Sequence, residues 1–279
     1  MGAALTEGGT RIGVIGVGNL GTALVVGWLR HGAGSGADLS RSMTVFDNDP
    51  IRCGALATAY GDRVRVAGSL EQLVEGVDVV VVSLKPQDVD EVIGRVGLAA
   101  RSTQAIVSTA AGAGLHRLRT ALGAGPDLYR IMPNLAVATG EGVIALAPDE
   151  GTPPVRSEGV KGLFLDLGAV EVLPEHLFDV VTAVGGSGPG FLALVLEALE
   201  DGAVRGGLTR VVARRFVRQM ARGTAGLLLD DPDSAATLKD RVSSPGGTTI
   251  AGLAVLEDRG VRGALLRAVE AATERGRQL

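Results

Sequence analysis

The sequence predicts an α/β protein, a doubly wound, mostly parallel sheet joined to an all-helical second domain. Three observations carry that prediction. Strand-like and helix-like segments alternate through residues 1–173. The strands are apolar along their whole length, as strands covered by helices on both faces must be. Beyond Leu173 the strand signal stops and helical patterns run to the end of the chain.

Taken in order, residues 11–16 read as a buried strand and 18–31 as a helix. A second strand at 43–47 leads to a helix opening at Pro50, where the missing N–H would be unpaired in any case. A short strand at 64–66, a helical piece at 70–75 and a nearly continuous valine strand at 77–83 follow. Segments 87–96, 105–108, 115–122 and 128–132 continue the alternation, and strands at 143–147 and 169–173 flank a helix over 155–167. Helices are then expected at 189–205, 209–229, 234–242, 248–259 and 261–277. The boundary falls near Pro174, giving a dinucleotide-binding domain over 1–173 and a helical domain over 174–279 for substrate binding and dimerisation. Five helices with several apolar faces bury more surface by pairing with a second copy, so a homodimer or an assembly of dimers is expected.

Hydrophobic residues make up 46% of the 279 and charged ones 21%, the balance of a well-packed soluble protein. Twenty-seven basic and 31 acidic residues leave a net charge of −4 with no block of like charge, which argues against nucleic acid or an anionic membrane as a partner. Glycine, at 42 residues, is about double its usual share. The single cysteine, Cys53, excludes an intrachain disulfide and reads as a small buried hydrophobe. Residues 1–10 lack the basic start and apolar core of a signal peptide, although Gly2–Thr6 meets the loose myristoylation pattern. No uninterrupted apolar run reaches a membrane span, and Glu197 cuts the best one. A cytoplasmic protein is expected. No cysteine–histidine set has metal spacing, and His31, His116 and His176 stand without partner motifs.

Two anion cradles stand far apart in the chain. Gly16-Val17-Gly18-Asn19-Leu20-Gly21 follows a strand and opens a helix, the context in which Gly-x-Gly-x-x-Gly binds a dinucleotide. Gly16 allows the tight turn, Gly18 lets a pyrophosphate approach the backbone, and Gly21 permits helix–strand packing in a Rossmann-like domain. Asp47 ends the second strand, where a carboxylate accepts from ribose hydroxyls and repels a 2′-phosphate. With Asp49 it tilts the reading slightly toward NADH, Arg52 one turn on partly reverses that, and Asn48 stands between the two carboxylates as a further cofactor-side candidate. Ser83, Leu84, Lys85 and Pro86 lie at the carboxyl end of the valine strand, the edge where open α/β sheets bind ligands. Ser108, Thr109, Ala110, Ala111 and Gly112, one strand later, repeat the logic with small residues that leave room for a nicotinamide. The second cradle is Val242-Ser243-Ser244-Pro245-Gly246-Gly247-Thr248-Thr249, a loop feeding amides and hydroxyls into a helix start suited to a small carboxylate. The run Gly185-Gly186-Ser187-Gly188-Pro189 is either a flexible helix start or a second wall of small residues against a flat ligand.

Together these stretches resemble the pyrroline-5-carboxylate reductase family, from Arg11 to the C-terminal helix. The resemblance rests on Val242–Leu253, Gly186-Ser187-Gly188-Pro189, Met132-Pro133-Asn134, and Val82–Pro86 read with Ala110-Ala111-Gly112. It implies an NAD(P)H-dependent imine reductase, NADPH being the family's usual donor, that makes L-proline at an active site on the interface of an interlocked dimer. It also implies that Asn134 lies near the nicotinamide, that Ser244, Gly246, Gly247 and Thr248 hold the substrate carboxylate, and that Thr249 places a hydroxyl near the ring nitrogen. Ser187 belongs to the same substrate wall. Thr249 is the candidate catalytic residue and no metal is expected.

Three departures bear on the substrate. Leu135 and Ala136 stand where the family has Thr-Pro, Gly185 replaces a serine, and Ser234–Thr237 replaces His-Pro-Gly. A relative acting on a piperideine carboxylate or a substituted pyrroline is therefore the alternative. A nucleotide-binding regulator without turnover would not need the carboxylate cradle. A β-hydroxyacid dehydrogenase would need a catalytic lysine on a later helix, whereas Lys239 lies in the family's Leu-Lys-Asp run.

Overall fold

The computed structural model describes residues 9–32, 42–230 and 234–278. Gly2–Thr6, with its lipidation-like pattern, lies outside the described residues.

The elements are β1 (Ile12–Ile15), α1 (Asn19–His31), β2 (Met43–Phe46), α2 (Pro50–Tyr60), β3 (Val64–Val66), α3 (Leu70–Gly76) and β4 (Val79–Val82). Next come α4 (Val89–Ala99), β5 (Ala105–Ser108), α5 (Leu115–Leu122), β6 (Asp127–Met132), β7 (Gly142–Pro148), α6 (Pro154–Gly162) and β8 (Gly168–Val172). The last helices are α7 (Phe178–Val181), α8 (Gly188–Arg205), α9 (Arg210–Asp230), α10 (Ala235–Arg241), α11 (Thr248–Asp258) and α12 (Val261–Arg277). Contacts divide the chain into two compact units, Met1–Gly186 with Ala272–Leu279, and Ser187–Ala271.

In the first unit the strands form one sheet in the order β3-β2-β1-β4-β5-β6-β7-β8. Val14 of β1 pairs with Val45 of β2 on one side and Val81 of β4 on the other, and all four valines of β4 are fully buried. Every pairing is parallel except that of β6 with β7. The connection between those two is a short 3-10 turn, Leu135–Thr139, ended by Gly140 in the left-handed region. A parallel return needs a crossover of a dozen or more residues, so this short link returns antiparallel.

Each face of the sheet carries its own apolar layer. On one face Trp28 of α1 is fully buried, its Nε1 donating to the Leu163 carbonyl at 2.6 Å and its ring tilted against Phe164 at 5.3 Å. The other is built from α3, α4 and α5 with Phe178. The helix expected over 155–167 stops at Gly162, because Leu163 and Phe164 tighten to three-residue hydrogen bonds. That tightening precedes the 3-10 turn Leu165–Leu167. At the tail of the sheet, Arg130 of β6 is buried, pairs with Glu175 at 2.9 Å and lies over the Phe178 ring at 4.9 Å. Glu175 also accepts the Leu115 N–H at the head of α5, at 2.7 Å.

The expectation about membrane-length segments needs one correction. A 3-10 turn at Glu175–Leu177, α7, a π-helical turn at Thr182–Ser187 and α8 run on into a single helical stretch, Glu175–Arg205. By length and composition that stretch is apolar enough to cross a membrane. Counting uninterrupted apolar runs missed it, since a few charged residues do not undo the average over a full span. Almost none of its apolar window is buried. Within the second unit, among the described helical residues, burial reaches only Glu200, Ala213 and Val217. Leu194, Val211, Phe216, Ile250 and Val255 are exposed.

Candidate active site

The dinucleotide cradle forms where β1, β2 and β4 end together. Gly16 N–H donates to the Phe46 carbonyl and Ser83 N–H to that of Ile15, both at 2.8 Å, lacing the three strand tips. Gly16 turns at φ +88, and a Cβ there would stand 2.4 Å from the Ser83 carbonyl oxygen. A Cβ on Gly21 would stand 1.9 Å from the Gly16 carbonyl oxygen, so only glycine lets α1 start this close to the loop. Gly18 is different. A Cβ there would meet nothing nearer than Arg52 Nη1, at 3.8 Å, and Gly18 caps α1 without a side-chain bond to its first amides. Open space over bare amides is what a pyrophosphate requires, so the residues present fit the group.

Asp47 holds this loop in shape. Its Oδ2 accepts the Val17 N–H and its Oδ1 the Asp49 N–H, both at 2.8 Å. Arg52 Nη1 lies 3.7 Å from Oδ2, placing a cation beside the carboxylate. Cys53 packs beneath, its thiol pushed up by burial and then by Asp47, which keeps it an unreactive hydrophobe.

A cleft of about 740 Å³ runs along these strand tips, within the range of ligand sites. Gly16, Gly18, Asn19, Leu20, Asp47, Asn48, Ser83, Leu84, Lys85, Pro86 and Ala111 line it. Val17, Gly21 and Ala110 lie buried behind that wall, and Gly112, at φ +72, forms the turn beyond it. Thr109, from the same small-residue run as Ala111, and Met132 line it too. Thr109 places Oγ1 3.3 Å from Ser83 Oγ, and Met132 ends β6. Met132 belongs to the Met-Pro-Asn run, which was the available signal.

Asn134 does not line the cleft. It is buried, its Oδ1 accepting from Ala136 N at 3.2 Å and Val143 N at 3.3 Å, and its Nδ2 donating to the Gly185 carbonyl at 3.0 Å.

The second cradle lies in the helical unit. Gly246 turns at φ +66, Gly247 N–H donates to the Ser244 carbonyl at 3.0 Å, and α11 begins at Thr248. Gly247 is the cap residue and no side chain caps the helix among the described residues, so its first amides stay available to an anion. A Cβ on Gly247 would push Ser244 Oγ aside and stand 3.1 Å from the Ser244 carbonyl oxygen, so the loop is tight at this point. Ser244 and Thr248 are exposed, and Thr249 is half-buried. Ser187 is half-buried at the end of the π-helical turn.

Comparison with known proteins bears on both halves. The family description "Pyrroline-5-carboxylate reductase dimerisation" matches residues 175–279. "NADP oxidoreductase coenzyme F420-dependent" matches 11–112. A pyrroline-5-carboxylate reductase of Synechocystis is 38% identical over 219 residues, covering 78% of this chain and 80% of that protein. The Mycobacterium leprae pyrroline-5-carboxylate reductase is 37% identical and covers 96% of each chain. The chain belongs to the pyrroline-5-carboxylate reductase family. Among solved structures, the 1-pyrroline-5-carboxylate reductase of Streptococcus pyogenes superposes with a TM-score of 0.83 at 29% identity, covering 97% of this chain and 99% of that one. The match of residues 175–279 to a dimerisation family and the bare apolar surface of α8, α9 and α11 both support an oligomer.

Proposed function

We propose that this chain is an NAD(P)H-dependent enzyme that reduces the C=N bond of 1-pyrroline-5-carboxylate to give L-proline, in the cytoplasm, as a homodimer or an assembly of dimers. Residues 1–173 serve the dinucleotide, and 174–279 the substrate and the dimer contact. The observation that carries this reading is the uncapped start of α11 behind a loop turned by Gly246 at positive φ, in a member of this family that also carries an open glycine cradle at 16–21.

The reduced nicotinamide supplies the hydride when bound. Gly18 and Asn19 hold the pyrophosphate through bare amides, and Asp47 keeps that loop in register. Asp47 also faces the ribose end, where it favours NADH while the neighbouring Arg52 tolerates NADPH. Ser83–Pro86 and Ala110–Gly112 border the rest of the dinucleotide. At α11, the Thr248 N–H with the hydroxyls of Ser244 and Thr248 clamps the substrate carboxylate over the turn made by Gly246 and Gly247, and Ser187 borders the ring. Fixing one end of a small ring sets the imine carbon in attack geometry, an effect worth several kcal/mol. Thr249 hydrogen-bonds the ring nitrogen as it becomes an amine. Neutral hydroxyls titrate far from working pH, so positioning outweighs acid catalysis here.

The test is loss of nicotinamide absorbance with NADH or NADPH and a panel of cyclic imino acids. Turnover of 1-pyrroline-5-carboxylate is expected, with Thr249→Ala lowering kcat while dinucleotide affinity survives. An unchanged kcat in that variant would refute its role. Leu135, Ala136 and Gly185 favour a second reading, a larger or substituted ring, which the same panel decides: turnover confined to non-proline precursors selects it.

A further inference from the structure

The tip of β6 faces in two directions. Met132 lines the dinucleotide cleft, and Asn134, two residues on, holds the π-helical turn Thr182–Ser187. A π turn spaces its hydrogen bonds five residues apart, so the chain bulges, and such bulges recur at functional sites. Here the Gly185 carbonyl accepts from a side chain, Asn134 Nδ2, at 3.0 Å. The orientation of that amide follows from its neighbours. Oδ1 already accepts two backbone N–H groups, from Ala136 and Val143, so the NH₂ must be the end that meets a carbonyl. Three hydrogen bonds on a buried carboxamide lock its rotamer. The turn also sits flush on the strand tip: a Cβ on Gly186 would come within 2.8 Å of Met132 Cε.

We infer that Asn134 is a positioning residue for the reduction, its carboxamide fixing the wide turn at 182–187 through the Gly185 carbonyl without touching the dinucleotide. The inference rests on the reductase reading above, because Ser187, the last residue of that turn, is assigned there to the substrate wall. A shift of about an ångström at such a wall costs on the order of 100-fold in rate while leaving distant binding intact.

Asn134→Asp is the direct test. It preserves shape and both acceptor bonds but sets an anionic oxygen against the Gly185 carbonyl. With the full-length protein, three quantities are measured: kcat and KM for the imine, dinucleotide affinity by nicotinamide fluorescence, and the primary isotope effect with 4-deuterated reduced dinucleotide. The expected result is a kcat lowered roughly 10- to 100-fold, an enlarged isotope effect, and dinucleotide affinity unchanged within about twofold. Weaker dinucleotide binding with kcat preserved would overturn the inference in favour of direct contact. So would a variant that merely melts at lower temperature with wild-type kcat. If Asn134→Asp does not fold, Asn134→Ala releases the Gly185 carbonyl without introducing a charge. The same loss of kcat and larger isotope effect are then expected, and a wild-type kcat there refutes the idea. A wild-type protein that turns over no imine removes the reductase reading and this inference together, whereas an active wild type with an indifferent Asn134 removes only the second.

Discussion

Alanine at Gly18 and at Gly21 should separate folding from dinucleotide binding. Both glycines lie in the same loop, and a sequence motif alone treats them as equivalent. A Cβ at Gly21 would stand 1.9 Å from a backbone oxygen, that of Gly16, so α1 must retreat by more than an ångström to admit it. That disturbs the packing of buried Leu24 and Trp28 on the same helix, and overpacking of this kind costs about 1–3 kcal/mol, occasionally more. At Gly18 the backbone is extended, with φ −66, and the nearest atom is a flexible guanidinium nitrogen at 3.8 Å. There alanine gains about 0.4–1 kcal/mol from a stiffer unfolded chain and loses a similar amount as a poorer helix cap. Stability should stay within about 0.5 kcal/mol of wild type. Binding should not survive: the methyl group occupies the space over the bare amides, and losing one or two charge-assisted hydrogen bonds costs roughly 100-fold in affinity. Chemical denaturation and fluorescence titration with NADH and NADPH read the two effects. Gly18→Ala should melt like wild type and bind poorly, and Gly21→Ala should fail in both. Wild-type dinucleotide affinity in Gly18→Ala would refute the assignment of the pyrophosphate to this loop.

Trp28→Ala should destabilise the first unit by about 3–5 kcal/mol in urea denaturation, since it empties a fully buried site and orphans the Leu163 carbonyl. Asp47→Ala should weaken dinucleotide binding about tenfold through the loop, because it frees the Val17 N–H, and titration of both dinucleotides checks this. Burial disfavours the charged form of Asp78, yet hydrogen bonds from Arg11 at 2.8–3.1 Å outweigh it and hold the carboxyl below its ordinary 3.8. A depressed carboxylate stabilises the fold above its unfolded pKa, and that contribution fades as pH falls through the folded one. Arg11→Ala should therefore cost up to about 1 kcal/mol at neutral pH, given that the pair is partly exposed, and the difference from wild type should shrink below pH 4, as denaturation curves at several pH values would show.

What the sequence made legible was local. Four valines in a row announce a strand buried on both faces, and the glycine spacing after β1 announces the cradle, because each depends on residues adjacent in the chain. The direction of β7 depended on the length of its connection, which periodicity does not weigh. Asp47 looked like a ribose ligand because its position at the end of β2 was visible, whereas its grip on Val17, 30 residues earlier in the chain, was not. Family likeness sets Asn134 near the nicotinamide but does not reveal that its carboxamide meets the backbone at three points, which folding brings together. Arg130 carries no signal in the sequence, because only folding brings it over the Phe178 ring and against Glu175.

The sparse interior of residues 187–271 has a consequence for how this protein comes into being. Helices that bury so little within one chain gain most of their stability from a neighbour, so ordering this half and meeting a partner become one event. Refolding of the C-terminal half should then follow second-order kinetics. The melting temperature should climb with protein concentration, and a dilute sample should lose its proline-forming activity before its sheet unravels.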